Sequence, residues 1–298
     1  MFKPIANLQV FYPSFFCISG ERMKKMGVDL LAFGAHPDDV EIGAGGIVTK
    51  HAVMGYKCGI VAASAASDQL LTAYFFRVKI LHIFGGVKGM IAIIDYGMGN
   101  ITSVSNGFSY VGINTVLTDD IAVLNRYRTI VLPGVGAFGS AMVELRRKGL
   151  VDYLKERQKD GTIILGICLG LQLFFPQSEE DPGFEGLGFL PGEVVRFPES
   201  VKVPQMGWNR VYFSGSGEPL AAGIPEGSHF YFANSYYASP QQKEHLLARS
   251  NYEVVFPAAV RKENVYGLQF HPEKSGEMGL RLLYNFGRMV RDAGYTGD

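Results

Sequence analysis

Cys168 stands between two glycines in Gly166-Ile167-Cys168-Leu169-Gly170, directly after the apolar run Thr162-Ile163-Ile164-Leu165. A strand before and a helical pattern after give this segment the form of a nucleophile elbow, with cysteine in place of serine. Glycines suit a tight turn whose flanking elements pass close to its backbone, and a following helix N-terminus would favour the thiolate. A buried structural cysteine after a strand fits the same segment. A second group of residues bears on that choice. His271 ends the apolar run Tyr266–Phe270, and Glu273 follows two residues later. If the strand direction persisted, the two would share a face and the carboxylate could orient the imidazole. A surface histidine at a strand end is the rival reading. The third group is Leu132-Pro133-Gly134-Val135-Gly136-Ala137-Phe138-Gly139, a glycine-rich turn whose N–H groups could face a developing oxyanion. Alone it reads as a loop. Taken together, the three groups close apolar strands at their C-terminal ends, where α/β proteins build active sites.

The elements that must position these groups begin at Met90. Met90–Tyr96 reads as a buried strand, and Asn100 caps a helix with Ile101, Val104, Phe108 and Val111 on one face, ended by Gly112. Strands over 115–117, 129–132 and 162–166 follow, with a helix between that turns Phe138, Met142 and Leu145 inward. Buried, non-alternating strands interleaved with helices predict an α/β fold with a parallel sheet covered on both faces. From Glu193 to His271 the pattern turns strand-rich, over 194–197, 210–213, 229–233, 254–260 and 265–270. A last helix from about Ser275 to Val290 turns Leu282, Leu283, Phe286 and Met289 inward.

With those residues in view, PGVGAFG, GICLGLQLFF, PQMGWN, FYFANSYY and YGLQFHPEKSG together resemble the glutaminase subunits of imidazole glycerol phosphate synthase. These are class I glutamine amidotransferases of histidine biosynthesis, and the resemblance runs from Met90 to about Val290. It implies a flavodoxin-like domain in which Cys168 attacks the glutamine amide, His271 moves the proton and Glu273 holds His271. It implies an oxyanion hole from Leu169 N–H and the Gly134–Val135 peptide, with Gly136 in the same loop. Gln172 and Glu180 fall where the family contacts glutamine, and Ser235 and Tyr236 where it meets the carboxylate. No cofactor is implied. The partner implied is a cyclase subunit with a (β/α)8 barrel, joined in a heterodimer that passes ammonia on, and Pro133–Gly136 is the element expected to change conformation. Asn100, Trp208, Tyr231 and Lys274 match positions near the family's subunit interface, although Trp208 also fits an ordinary core aromatic. Two positions depart from the family, which often has histidine at Gln205 and at Asn234.

Residues 1–89 have a different character, and the domain division expected is 1–89 and 90–298. Two strands, over 28–33 and 58–63, with a helix over 46–55 between them, make a truncated βαβ fragment. Gly34–Gly46 resembles the first motif of the LmbE-like, zinc-dependent N-acetylglucosamine deacetylases, in which His36 and Asp39 would bind zinc and Asp38 would act as base. The resemblance stops near Ala63, before the further histidine that family needs. His51 and His82 are candidates by type alone, so the expectation is a vestigial fragment without a metal.

Composition bounds the rest. Of 298 residues 47% are hydrophobic and 19% charged, and 28 basic side chains balance 28 acidic ones, which leaves no electrostatic footprint for nucleic acid or an anionic membrane. Cys17, Cys58 and Cys168 have no metal spacing and cannot all pair, which suits a reducing cytoplasm. The apolar stretch Leu8–Ile18 lacks the flanks of a signal peptide, and Leu70–Phe84 is too short to span a bilayer. The expected function is therefore a cytoplasmic glutaminase feeding a histidine-pathway cyclase. Its rivals are a paralogous glutaminase serving a sugar-modifying amidotransferase, and a non-catalytic regulatory subunit.

Overall fold

The computed structural model describes residues 8–12, 15–19, 30–34, 58–62, 73–74, 90–215 and 217–293, within two units, Met1–Gly85 and Gly86–Asp298. In the first unit β1 (Leu8–Tyr12), β2 (Phe15–Ser19), β3 (Leu30–Gly34), β4 (Cys58–Ala62) and β5 (Ala73–Tyr74) form one sheet in that order. β3 and β4 are parallel, and they are the two strands expected from the sequence; the other pairs are antiparallel and had no counterpart in that reading. The helix expected over 46–55, the vestigial metal candidates His36 and Asp39, and Asp38, His51 and His82 lie outside the described residues.

The second unit opens with β6 (Met90–Ile94), α1 (Ile101–Tyr110), β7 (Asn114–Thr118), α2 (Ile121–Leu124), β8 (Thr129–Gly134), α3 (Phe138–Arg147), α4 (Leu150–Lys159), β9 (Ile163–Cys168) and the single turn α5 (Leu169–Gln172). It continues with β10 (Gly192–Arg196), β11 (Gln205–Phe213), β12 (Ser228–Asn234), β13 (Tyr236–Pro240), β14 (Leu246–Tyr252), β15 (Val254–Lys262), β16 (Val265–Leu268) and α6 (Gly276–Asp292). Nine strands make one sheet in the order β12-β11-β14-β15-β16-β9-β8-β6-β7. Its five-strand end, β7-β6-β8-β9-β16, is parallel throughout and follows the 2-1-3-4-5 order of flavodoxin-like folds. The other strands extend it antiparallel, and β10 pairs with β13 in a separate ribbon.

The unbroken apolar runs of the parallel strands are explained by cover on both faces. Ile91, Ile93, Val131 and Leu165 point to the side where Val104 and Phe108 of α1 meet Leu282, Leu283 and Phe286 of α6. Their neighbours Ala92, Ile94, Ile130, Leu132 and Ile164 point to the opposite side, against Phe138, Met142 and Leu145 of α3 and Leu154 of α4. Asn100 caps α1 by accepting from Ser103 N at 3.2 Å, and Gly112, at φ 79°, follows its end. One inward position differs from expectation: Met289 is only partly buried, and Val290 takes the enclosed place at the end of α6. Among the described residues no helix is long and apolar enough to cross a membrane.

Candidate active site

The groups singled out at the start meet at the C-terminal ends of three adjacent strands, β8, β9 and β16. Cys168 is the last residue of β9, and its φ of 55° is a left-handed backbone that non-glycine residues adopt at a cost of about 1–3 kcal/mol. Close packing holds it there. A Cβ on Gly170 would lie 1.8 Å from the Leu132 carbonyl oxygen, and one on Gly166 would lie 2.6 Å from the Gly170 carbonyl oxygen, so the elbow admits only glycine at both places. The helix that follows Cys168 is shorter than the sequence pattern implies. α5 has 4 residues, so its dipole contributes little to the sulfur, and neighbouring side chains must supply the electrostatics.

Those side chains are His271 and Glu273. His271 Nδ1 lies 2.8 Å from Glu273 Oε1, with both side chains almost wholly enclosed, at 5% and 1% exposure. The strand logic that predicted this pair does not hold, because β16 ends at Leu268 and Pro272–Lys274 is a 3-10 turn. The turn, begun by Pro272, brings the carboxylate back to Nδ1 of the ring instead. With Nδ1 occupied, Nε2 is the nitrogen left for the sulfur. Burial is the largest single influence on the imidazole and lowers its pKa. The charge of the Cys168 sulfur, its hydrogen bond to the ring and then the Glu273 contact outweigh burial, and together raise it to about 10. A protonated imidazole beside a thiolate can present a nucleophile and then hand a proton to a leaving nitrogen.

Around the sulfur lie groups that the motifs did not single out. The Cys168 sulfur is 3.9 Å from the Ala233 carbonyl oxygen and 3.9 Å from Gln269 Nε2. Gln172, expected at the substrate, donates from Nε2 to the Tyr236 carbonyl at 2.9 Å and to Gln269 Oε1 at 3.2 Å. The Tyr236 carbonyl also accepts from Asn234, and the Ser235 carbonyl accepts from Phe197 N–H, so this turn is fixed from three directions. Gly134 pairs in register with Cys168 across β8 and β9, Leu169 is buried, Val135 is exposed, and Gly136 takes φ 98°. A Cβ on Gly134 would sit 2.7 Å from the Tyr96 hydroxyl, which itself donates to the Pro133 carbonyl at 3.0 Å. Burial and the nearby Cys168 hold that phenol well above its ordinary value.

Glu180, expected at the substrate, makes a backbone contact. Its carboxylate accepts from Phe138 N–H at 2.9 Å, and Asp181 accepts from Gly139 N–H at 2.7 Å, so the two cap α3, whose own N-cap is Ala137. Burial raises the Glu180 carboxyl above its ordinary value, against the Phe138 hydrogen bond and with help from Asp181.

The residues matched to a subunit interface fall outside this enclosed group. Trp208 is 52% exposed, which excludes the core-aromatic reading. It packs edge-on to Tyr231, and Lys274 Nζ lies 5.9 Å from the centre of the Tyr231 ring. Asn100 is exposed at the start of α1. Gln205 and Asn234 turn out to be cross-strand partners in β11 and β12, both buried, and neither Gln205 amide atom has a hydrogen-bond partner. Among the described residues no cluster of His, Cys, Asp and Glu is arranged to hold a metal.

Comparison with known proteins bears on the same region. Residues 92–290 match the family model for glutamine amidotransferase class-I. The chain belongs to the class-I glutamine amidotransferases. A protein of Moorella thermoacetica named imidazole glycerol phosphate synthase subunit HisH is 48% identical over 207 residues, 70% of this chain and 98% of that one. A protein of the same name from Geobacillus thermodenitrificans is 50% identical over 203 residues, covering 66% of this chain and 94% of that one. Among solved structures, PurLQS from Thermotoga maritima matches with a TM-score of 0.56 at 20% identity, over 68% of this chain and 99% of that one. A structure described as a glutamine amidotransferase matches with a TM-score of 0.55 at 19% identity, over 69% of this chain and all of that one. At such identities the structures speak for the amidotransferase fold alone.

Proposed function

We propose that this amidotransferase is the glutaminase subunit of an imidazole glycerol phosphate synthase, hydrolysing glutamine and delivering the ammonia to a cyclase subunit in histidine biosynthesis. The observation that carries the reading is the enclosed Cys168, His271 and Glu273 group, with Cys168 in a left-handed turn and Glu273 2.8 Å from the imidazole. Near-complete alignment with relatives that bear the synthase subunit's name supports the choice of pathway.

In this reading the Cys168 thiolate attacks the side-chain carbonyl carbon of glutamine. Charge collects on the carbonyl oxygen, and the N–H groups of Leu169 and of the Gly134–Val135 peptide receive it. His271 gives its proton to the amide nitrogen, the C–N bond breaks, and ammonia leaves a γ-glutamyl thioester on Cys168. Water then attacks the thioester with His271 as base, which releases glutamate and restores the thiolate–imidazolium pair. Gln172, Glu180 and the Ser235–Tyr236 backbone hold the substrate. Gly136 gives the Pro133–Gly136 segment freedom to reorient. Asn100, Trp208, Tyr231 and Lys274 form the surface that meets the cyclase, a (β/α)8 barrel. The reaction takes place in the cytoplasm, and residues 1–89 have no part in it.

Glutamine hydrolysis by the full chain, measured alone and with a histidine-pathway cyclase subunit and its nucleotide ligand, tests the reading. Strong stimulation by the liganded cyclase is expected. Hydrolysis indifferent to the cyclase would contradict the pathway while leaving the chemistry in place.

A further inference from the structure

Ser275 occupies the position that begins α6, a helix of 17 residues, yet its side chain caps nothing there. A serine at such a place ordinarily accepts a hydrogen bond from the first free N–H groups of its helix. Here the hydroxyl is turned away. It donates to the His271 carbonyl at 2.6 Å and accepts from Tyr231 N–H at 2.9 Å. The circuit is closed by His271 N–H, which donates to the Tyr231 carbonyl at 2.9 Å. Both backbone groups of Tyr231 in edge strand β12 are thereby tied to the His271 turn, one directly and one through Ser275. The hydroxyl is enclosed, Ser275 being 2% exposed, so no water competes for either bond.

We propose that Ser275 is a positioning residue for His271: by bridging the edge of β12 to the turn that carries the imidazole, it sets the ring against the Cys168 sulfur. The inference rests on the triad reading above. His271 cannot be held by β16, which has ended three residues earlier, and the turn is short and irregular. The Glu273 carboxylate restrains one ring nitrogen, but Glu273 rides on the same turn and cannot fix the turn itself. A Cβ on Gly279 would lie 1.9 Å from the Pro272 carbonyl oxygen and 2.7 Å from Ser275 Cβ, so the first turn of α6 presses Ser275 into this contact. The same circuit links the ring to the surface. Tyr231 stacks edge-on with the exposed Trp208, so a partner that displaces Tyr231 acts on the His271 backbone through one direct hydrogen bond and one Ser275 bridge.

The test uses the full chain with the cyclase subunit and compares Ser275→Ala with Ser275→Cys, which refills the space without an equivalent donor and acceptor. Cys168→Ala serves as the control for the triad reading. In both Ser275 variants kcat for glutamine is expected to fall roughly ten- to a hundredfold, the range that a small misplacement of a reacting group costs, with little change in KM. The alkaline limb of the kcat profile should also move to lower pH, because Cys168 of β9, Glu273 of the same turn and the Tyr231 ring of β12, 6.5 Å away, are the titratable groups that face the imidazole, and the first is no longer aligned with it. Wild-type kcat and an unchanged profile in Ser275→Ala would overturn the proposal. So would losses that merely track a lowered melting temperature with the pH profile unmoved, since that is a structural role. Persistence of hydrolysis in Cys168→Ala would instead overturn the triad reading beneath it.

Discussion

The His271 ring is the point at which burial, a carboxylate and a sulfur act on one titrating group. Burial opposes the charged form, but the Cys168 sulfur and Glu273 together hold the imidazole up to about 10 from an ordinary 6.5. The sign of the linkage follows. A group raised on folding lends stability that is complete below its unfolded value and is lost as pH climbs through its folded value. The melting temperature of the wild-type chain should therefore fall relative to that of His271→Gln as pH rises from 6.5 towards 10. A constant difference across that window would show that no charged pair is present. At this scale much of the candidate site was legible, because cysteine, histidine and glutamate announce their chemistry by type. Gln269 was missed although the signal was there. It lies in the same motif two residues before His271, and its amide is a polar group in an otherwise apolar run that ends at the His271 turn. Ser275 and Tyr96 carried no such signal, since their hydroxyls act through contacts 4 and 37 residues away.

Among the elements, the elbow places the strictest demand on the sequence. Gly170→Ala would drive a methyl group to within 1.8 Å of the Leu132 carbonyl oxygen, a backbone atom that cannot swing aside. The cost expected is at least about 3 kcal/mol, at the upper end for overpacked sites, read as a shift in urea denaturation midpoint. A variant as stable as wild type would mean that α5 does not pack on β8 as described. The parallel half of the sheet was legible because strands buried on both faces read as continuous apolar runs. Among the elements of the second unit that escaped are α4, β13 and β14. α4 confines its buried residues Leu150, Val151, Tyr153 and Leu154 to its first half, so its period never repeats. β13 is short and ends in Pro240, and β14 carries Arg249 and Asn251 on its exposed side, both of which mask a strand pattern.

For the whole molecule, the family match and the amidotransferase fold lie within the second unit. A chain beginning at Met90 is therefore expected to hydrolyse glutamine with the cyclase subunit at a rate within a few-fold of the full chain. Loss of activity on that truncation would give the first unit a role that the account denies it. Neutral overall charge carries no sign of a partner, and for Trp208, which the resemblance matched to an interface and which also fitted a core aromatic, exposure removes the second reading. The central claim is that Cys168 carries the hydrolysis. Ammonia release from glutamine by the full chain with the cyclase subunit, wild type against Cys168→Ala, tests it most directly. Turnover in the wild type and none in the variant is the predicted result; equal turnover in both would contradict the account.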